Sequence, residues 1–485
     1  MGGLHAIPLS ICITLLFVIN GEAVTPRETL EIIIGGGGAS PLPPPPDYQD
    51  CPPPPPPPCP PPPSPPKQYP PPPPPPERPL SPAPPKRQPP QPPKRQPPPP
   101  PPPAGDYGGY ESELLALAAP VIKAFKKKVT YDPKNITKTW MGKNICRDYK
   151  GFICDTVPNR NQKGIAGVNF NNYNFNGKHL TLSELLIGLK DLAFFHANSN
   201  NFTGSIPLKI STLQYLYELD LSNNNFSGDF PHEVFGAKRL VFLDLRFNNY
   251  FGMVPSQVFL LNLDLLFIND NNFKQTLPEN LGSTTALYLT LANNHFVGEI
   301  PRSIGGAANT LLEVLFLNNQ LTGCLPYEIG LLKKSTVFDV GSNDLTGPIP
   351  HSFQCLEKME ILNLAHNKFY NEVPEAVCNL PKLSNFTVSY NYFTQVGPQC
   401  RELIKKGVLD VKMNCILDLP NQRSPTDCAR FFSNLPSCRD KKSLTYIPCS
   451  KGYSGNQLET SNVQWATPSP APAPLWRSYG ALSPH

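Results

Sequence analysis

From Ile165 onward the apolar residues recur with a period of 23 to 27 residues, and the clearest unit reads Leu216, Leu219, Leu221, Asn224 and Phe226. The last apolar position of each unit is Phe175, Phe202, Phe226, Tyr250, Phe273, Phe296, Leu321, Leu345, Phe369 and Phe393, which makes ten units. Around Leu219 apolar and polar residues alternate, which predicts a short strand with one set of side chains turned inward. A strand of that length cannot cover its own apolar face. The units are therefore expected to stack and share one continuous core. An asparagine follows each strand at a constant offset, as Asn200, Asn224, Asn248, Asn271, Asn294, Asn319, Asn343, Asn367 and Asn391; only the first unit, with Tyr173, lacks it. Its amide can satisfy backbone groups where the chain turns after the strand, and stacking repeats that bonding. A Gly-x-x-Pro turn comes next in six units, as in Gly204 to Pro207, and three others keep the proline but carry Gln275, Asn371 or Gln395 for the glycine.

This pattern is that of leucine-rich repeats: an α/β solenoid, a horseshoe of about ten 24-residue repeats over residues 165–400. Ahead of it Leu114, Leu117, Val121 and Phe125 recur at helical spacing, with Pro120 expected to bend or delay the helix. Together with Trp140, Cys146 and Cys154 they predict an N-terminal cap over residues 110–164, closed by a Cys146–Cys154 disulfide. Residues 401–450 carry further cysteines and predict a C-terminal cap in which Leu409 to Cys415 is a last degenerate strand.

Composition changes this picture at the chain ends. Residues 41 to 103 hold 40 of the 65 prolines and almost no large aliphatic side chains, so residues 24–109 are expected to be a disordered polyproline II arm. Its basic excess, Lys67, Arg78, Lys86, Arg87, Lys94 and Arg95 against Asp47, Asp50 and Glu77, suits a polyanion such as an acidic polysaccharide; a solvated linker is the other reading. The apolar run Ile7 to Ile19 followed by Asn20, Gly21, Glu22 and Ala23 reads as a signal peptide over residues 1–23. A net charge of +5, mostly scattered, argues against nucleic-acid binding, and no later segment is apolar and long enough to span a membrane. Residues 451–485 read as a disordered tail. Removing the signal leaves 12 of the 13 cysteines, an even number suited to an oxidising compartment. A Cys355–Cys378 bridge between successive coils and a Cys400–Cys415 bridge in the cap are the further expectations, while Cys51, Cys59, Cys324, Cys428, Cys438 and Cys449 are left unassigned. Neither a metal site nor a cofactor is expected.

Several stretches resemble the leucine-rich repeat extensin family of plants: Asp132-Pro133-x-Asn135-x-Thr137-x-x-Trp140, Cys146 to Cys154 around Tyr149-Lys150-Gly151, Gly323-Cys324-Leu325-Pro326, and Leu383-Ser384-Asn385-Phe386-Thr387. The resemblance covers about residues 111 to 415. It implies a secreted cell-wall protein whose repeats bind small cysteine-containing peptides of the rapid alkalinisation factor type, with a role in wall integrity and growth. The extensin module is atypical, because the proline block precedes the repeats and Ser64 is followed by only two prolines. Peptide binding is therefore the better-supported half of that implication, ahead of wall cross-linking through tyrosines.

Counting back from the last apolar residue of each unit places Asp220, Asp244 and Asp270 on the exposed inner face in adjacent repeats, with Phe247 and Phe267 beside them and Arg246 within reach of an aspartate. Such a patch would seat a basic peptide, the aromatics supplying area and the carboxylates orientation. The competing reading is of ordinary solvated strand positions. Asn135, Asn201, Asn225 and Asn385 are candidate glycosylation sites. No nucleophile elbow, phosphate loop or zinc-binding helix occurs, so no enzyme is expected. A polygalacturonase-inhibitor-like defence protein and a purely structural proline-rich wall glycoprotein are the alternative functions.

Overall fold

A computed structural model describes residues 107–449. The expected signal peptide, nearly all of the proline arm with Cys51 and Cys59, and the tail over 451–485 lie outside the described residues.

The cap opens with the helix Glu113–Lys128, whose first free N–H groups are met by the Ser112 hydroxyl accepting from Leu115 N at 3.1 Å. Pro120 sits inside this helix and does not delay it. Ile122 and Phe125 are buried, and Phe125 packs against the rings of Trp140, Phe170 and Phe202. The Cys146–Cys154 disulfide lies beside them. Phe152–Val157 then pairs antiparallel with Gln162–Asn169, the first strand of the solenoid.

Gln162–Asn169 begins a long parallel ladder. Each later coil adds one three-residue strand, Phe194–His196, Glu218–Asp220, Phe242–Asp244, Leu265–Phe267, Tyr288–Thr290, Glu313–Leu315, Val337–Asp339, Ile361–Asn363 and Asn385–Thr387, and Leu409–Asp410 ends the sheet at twelve strands. The middle residue of each strand, such as Leu219, Leu243 or Leu266, points into the core and is fully buried. After the turn each coil from the one with Phe202 to the one with Phe393 makes a second short strand, and most make a 3-10 turn on the opposite side. The second strands form a four-stranded sheet in the first coils and a five-stranded sheet in the later ones.

The asparagine ladder explains the constant offset. Asn224 donates through Nδ2 to the carbonyls of Leu221 and Ser222 in its own turn and of Ala197 in the preceding coil, while its Oδ1 accepts from Phe202 N at 3.1 Å. One side chain thus satisfies four backbone groups that no regular strand would reach. The same bonding continues to Asn414, which accepts from Phe393 N and closes a further coil after the ten counted in the sequence.

The C-terminal cysteines pair differently from the expectation. Cys378 bonds to Cys400 and Cys415 to Cys428, while Cys355 bonds to Cys449 and Cys324 to Cys438. The Cys355–Cys378 and Cys400–Cys415 bridges are therefore corrected. The reason lies in the path of the chain. Phe431 of the helix Pro425–Ser433 stacks on Tyr392 with ring centroids 3.7 Å apart, and the chain then turns back and runs as a strap along the second sheet, where Tyr370 donates to Pro436 O and Arg302 pairs with Asp440 at 2.6 Å. The strap brings Cys438 and Cys449 to coils more than 90 residues earlier in sequence. Gly347 shows how close the approach is: a Cβ there would lie 2.4 Å from Cys438 Sγ.

Candidate functional site: the exposed face of the parallel sheet

Alternation along each strand turns the residues on either side of the buried central one to the same outer face. The later of these two columns contains Asp220, Asp244 and Phe267, and here the structure departs from the expected exposed patch. Asp220 is 5% exposed, Asp244 1% and Phe267 6%. The aspartates do a structural task. Asp220 Oδ1 accepts from Ser222 N at 2.9 Å, Asp244 Oδ1 from Arg246 N at 3.1 Å, and Asp339 Oδ1 from Gly341 N at 2.8 Å. Each carboxylate closes the turn that leads into the asparagine ladder, and Asn363 does the same for Ala365.

Arg246 is likewise occupied. Its Nε lies 3.0 Å from Asp244 Oδ2, and its guanidinium sits over the Phe267 ring at 4.9 Å. Burial nevertheless outweighs the Arg246 charge and pushes the Asp244 carboxyl up to about 7. Asp270 stands at the turn and accepts from Asn269 Nδ2 and Asn293 Nδ2; burial raises its pKa as well. His196 bonds to Glu218 at 2.8 Å. Burial opposes its charged form, but the Glu218 hydrogen bond and the charges of Asp220, Glu218 and Asp244 together raise its pKa. The structure therefore gathers Asp244, Arg246 and Phe267 into one cluster whose contacts are internal, with Asp220 in the neighbouring His196–Glu218 group. Among the expected residues only Phe247 is an exposed large apolar group.

Phe247 occupies the position just before the ladder asparagine, where every coil from Ser199 to Met413 adopts a left-handed backbone and Asn223, Asn293 and Asn318 are the residues that suit it. At φ 53° a phenylalanine is strained and, at 39% exposure, gains little from packing. Phe247→Asn is expected to raise stability by about 1 kcal/mol, read as a higher urea midpoint with an unchanged slope.

The column at the start of each strand was not counted in the sequence, although a step of two residues from the counted one would have found it. It runs Phe242, Leu265, Tyr288, Glu313, Val337 and Ile361, in register across adjacent strands. With Phe267 and Leu315 in the next column these residues make an apolar belt across the middle of the sheet, in which Leu265, Tyr288, Val337, Phe267 and Leu315 are buried and Phe242, Glu313 and Ile361 are half-buried. Within it stands one carboxylate. Glu313 lies between Tyr288 and Val337, and desolvation, reinforced by the charge of Glu360, pushes it up to about 7. At the C-terminal end of the column the belt gives way to Asn385, an exposed sequon residue paired with Ile361; Asn135, Asn201 and Asn225 are exposed as well.

A family model described as Leucine Rich Repeat matches residues 215–236. Leucine-rich repeat extensin-like protein 6 of Arabidopsis thaliana is 49% identical over 231 residues, covering 47% of this chain and 48% of the relative, so the chain spans less than half of that protein. Leucine-rich repeat extensin-like protein 7 of the same plant is 42% identical over 346 residues, covering 71% of this chain and 77% of the relative. Among solved structures, the Arabidopsis receptor kinase HAESA in complex with the peptide hormone IDA and the co-receptor SERK1 superposes with a TM-score of 0.53 at 27% identity, over 61% of this chain and 49% of that one.

Proposed function

Because this chain belongs to the leucine-rich repeat extensin-like family, we propose that it is a secreted cell-wall protein that holds a peptide ligand on the exposed face of its long sheet. The observation that supports this reading is the sheet face itself, where the half-buried Phe242 and Ile361 stand with the half-buried Glu313 and the exposed carboxylates Asp264 and Glu360. Among the described residues Asp264, Glu313 and Glu360 make no ion pair, so the face is suited to a peptide that is both apolar and basic. The HAESA ectodomain, similar in fold, is solved with a peptide hormone bound. Five disulfides among the described residues suit an oxidising compartment, and no described helix is long and apolar enough to cross a membrane. The family resemblance points to a cysteine-containing peptide of the rapid alkalinisation factor type, acting in wall integrity or growth.

Calorimetric titration of the full chain with a synthetic peptide of that type tests the reading. Phe242→Asp, at a half-buried position of the sheet face, is expected to weaken binding at least about tenfold, as hot-spot aromatics do. Leu208→Asp, at a 78% exposed turn position away from the sheet, should leave it unchanged. Equal affinity of wild type and Phe242→Asp would remove the belt as the site.

A further inference from the structure

The loop that leads into each strand of the long sheet stacks on the loop of the coil before it. Thr336 N donates to Leu312 O, Glu360 N to Thr336 O and Ser384 N to Glu360 O, so the coils are already bonded to one another two residues after Lys334, Lys358 and Lys382. Those three lysines stand three residues ahead of Val337, Ile361 and Asn385, which pair in register. Lys405 takes the same place, four residues ahead of Leu409, the partner of Phe386. All of them are exposed. They make a ladder with one cation per coil, and neighbouring coils lie about 4.8 Å apart.

The repeat does not itself require lysine there. The preceding coils carry Asp191, Tyr215, Arg239, Asn262, Thr285 and Thr310 at the same position. Nor is the charge consumed inside the protein. Lys358 and Lys382 make no ion pair among the described residues. Lys334 donates only to Asn309 O, a neutral acceptor, and Lys405 pairs with Glu402 at an exposed site, a contact of small worth that a stronger anion displaces. With Lys333 and Lys406 beside the ladder, six lysines stand against Glu357, Glu360 and Glu402 along this rim. Like charges one coil apart repel, and an anion laid across them removes that cost.

We propose that this rim binds a linear polyuronate, an acidic polysaccharide with one carboxylate on each sugar, so that successive carboxylates meet successive lysines. A straight row of single cations at a constant step complements a polymer whose charge recurs at every residue; the carboxylates of a folded acidic protein are scattered and would engage one or two of them. The lysines precede the strands and stand outside the column from Phe242 to Ile361, so the inference uses the wall location of the proposed function and not its peptide. It gives the repeats their own hold on wall polysaccharide.

Calorimetry of the full chain with galacturonate oligomers of increasing length tests this. Affinity is expected to rise with each added sugar up to about four, one for each ladder lysine, and then to level off. Lys358→Glu combined with Lys382→Glu should weaken binding of the tetramer at least about tenfold at low salt and flatten its salt dependence. Lys209→Glu combined with Lys274→Glu makes the same change in net charge at exposed sites off the rim, and should alter the affinity less than about twofold. Both double variants should melt like the wild type, because every replaced side chain is exposed. Equal affinity of the ladder variant and the wild type, affinity that keeps rising well past that length, an oligoglutamate bound as tightly as the oligouronate, or no binding of any oligomer would each overturn the assignment. None of these results touches the peptide reading, which stands or falls on Phe242→Asp and a peptide.

Discussion

Thermal unfolding of the full chain is expected to give a higher melting temperature at about pH 4.5 than at about pH 7.5, the reverse of ordinary acid denaturation. The sign follows from carboxyls that hold their protons in the folded state. Asp244 is pushed up to about 7 from 3.8, Glu313 to about 7 from 4.5 and Asp339 to about 6 from 3.8, in each case chiefly by burial. In the unfolded chain these groups ionise near their ordinary values. Folding therefore takes up protons between about pH 4 and pH 7, and stability falls through that window before levelling off. His196 acts in the same direction, since its raised pKa contributes stability that is lost as pH rises through its folded value. Asp148, Glu402 and Asp440, with lowered pKa values, oppose the trend only in more acid solution, and they belong to exposed pairs of small worth.

Asp244 should dominate the effect, because its side chain is only 1% exposed and burial moves its carboxyl furthest from its ordinary value. Asp244→Asn retains an oxygen for the Arg246 N–H and removes the titrating proton. It should raise the melting temperature at about pH 7.5 and flatten the difference between the two pH values. A wild-type melting temperature that climbs from acid to neutral pH would show that these carboxylates are ionised in the fold.

Asn294→Ala is expected to cost about 3 to 5 kcal/mol in chemical unfolding, far more than its size suggests. The side chain is 4% exposed, accepts from Phe273 N at 3.0 Å and donates to the carbonyls of Ile268, Leu291 and Ala292. Its removal strands four buried backbone groups across two coils, where water cannot replace them. Asn294→Asp should be at least as damaging near neutral pH, because a carboxylate facing three carbonyls has no proton to offer. Asn249→Ala, at an exposed site whose amide only donates to Asn225, should change stability by less than about 0.5 kcal/mol. A small effect of Asn294→Ala would show that the ladder is not what holds the turns.

The contrast between Asn294 and Asp244 marks where reading the sequence succeeds and where it stops. Both recur at fixed offsets, and both were visible as columns. The asparagine column was legible because an amide with donor and acceptor has one economical use at a buried turn. The aspartates suggest a ligand patch on sequence alone, because an acidic residue on a solvent-facing strand position has two uses, closing the turn or meeting a partner. Nothing in the spacing separates them. The column from Phe242 to Ile361 lies one pleat further from the last apolar residue of each unit and carries no repeated residue type to mark it.

The amino-acid sequence by itself determined the repeat period, the inward column of leucines, the asparagine ladder and the Cys146–Cys154 cap, because each depends on contacts within one coil or between adjacent coils. Only the tertiary structure decided that the C-terminal segment doubles back to join Cys438 with Cys324 and Cys449 with Cys355, since those partners lie more than 90 residues apart and local pattern carries no information about such a path. It also decided which carboxylates are spent on turns and which one, Glu313, is left among apolar neighbours. Burial and partnership are properties of the packed face, and a side chain acquires them only when the neighbouring coils close beside it.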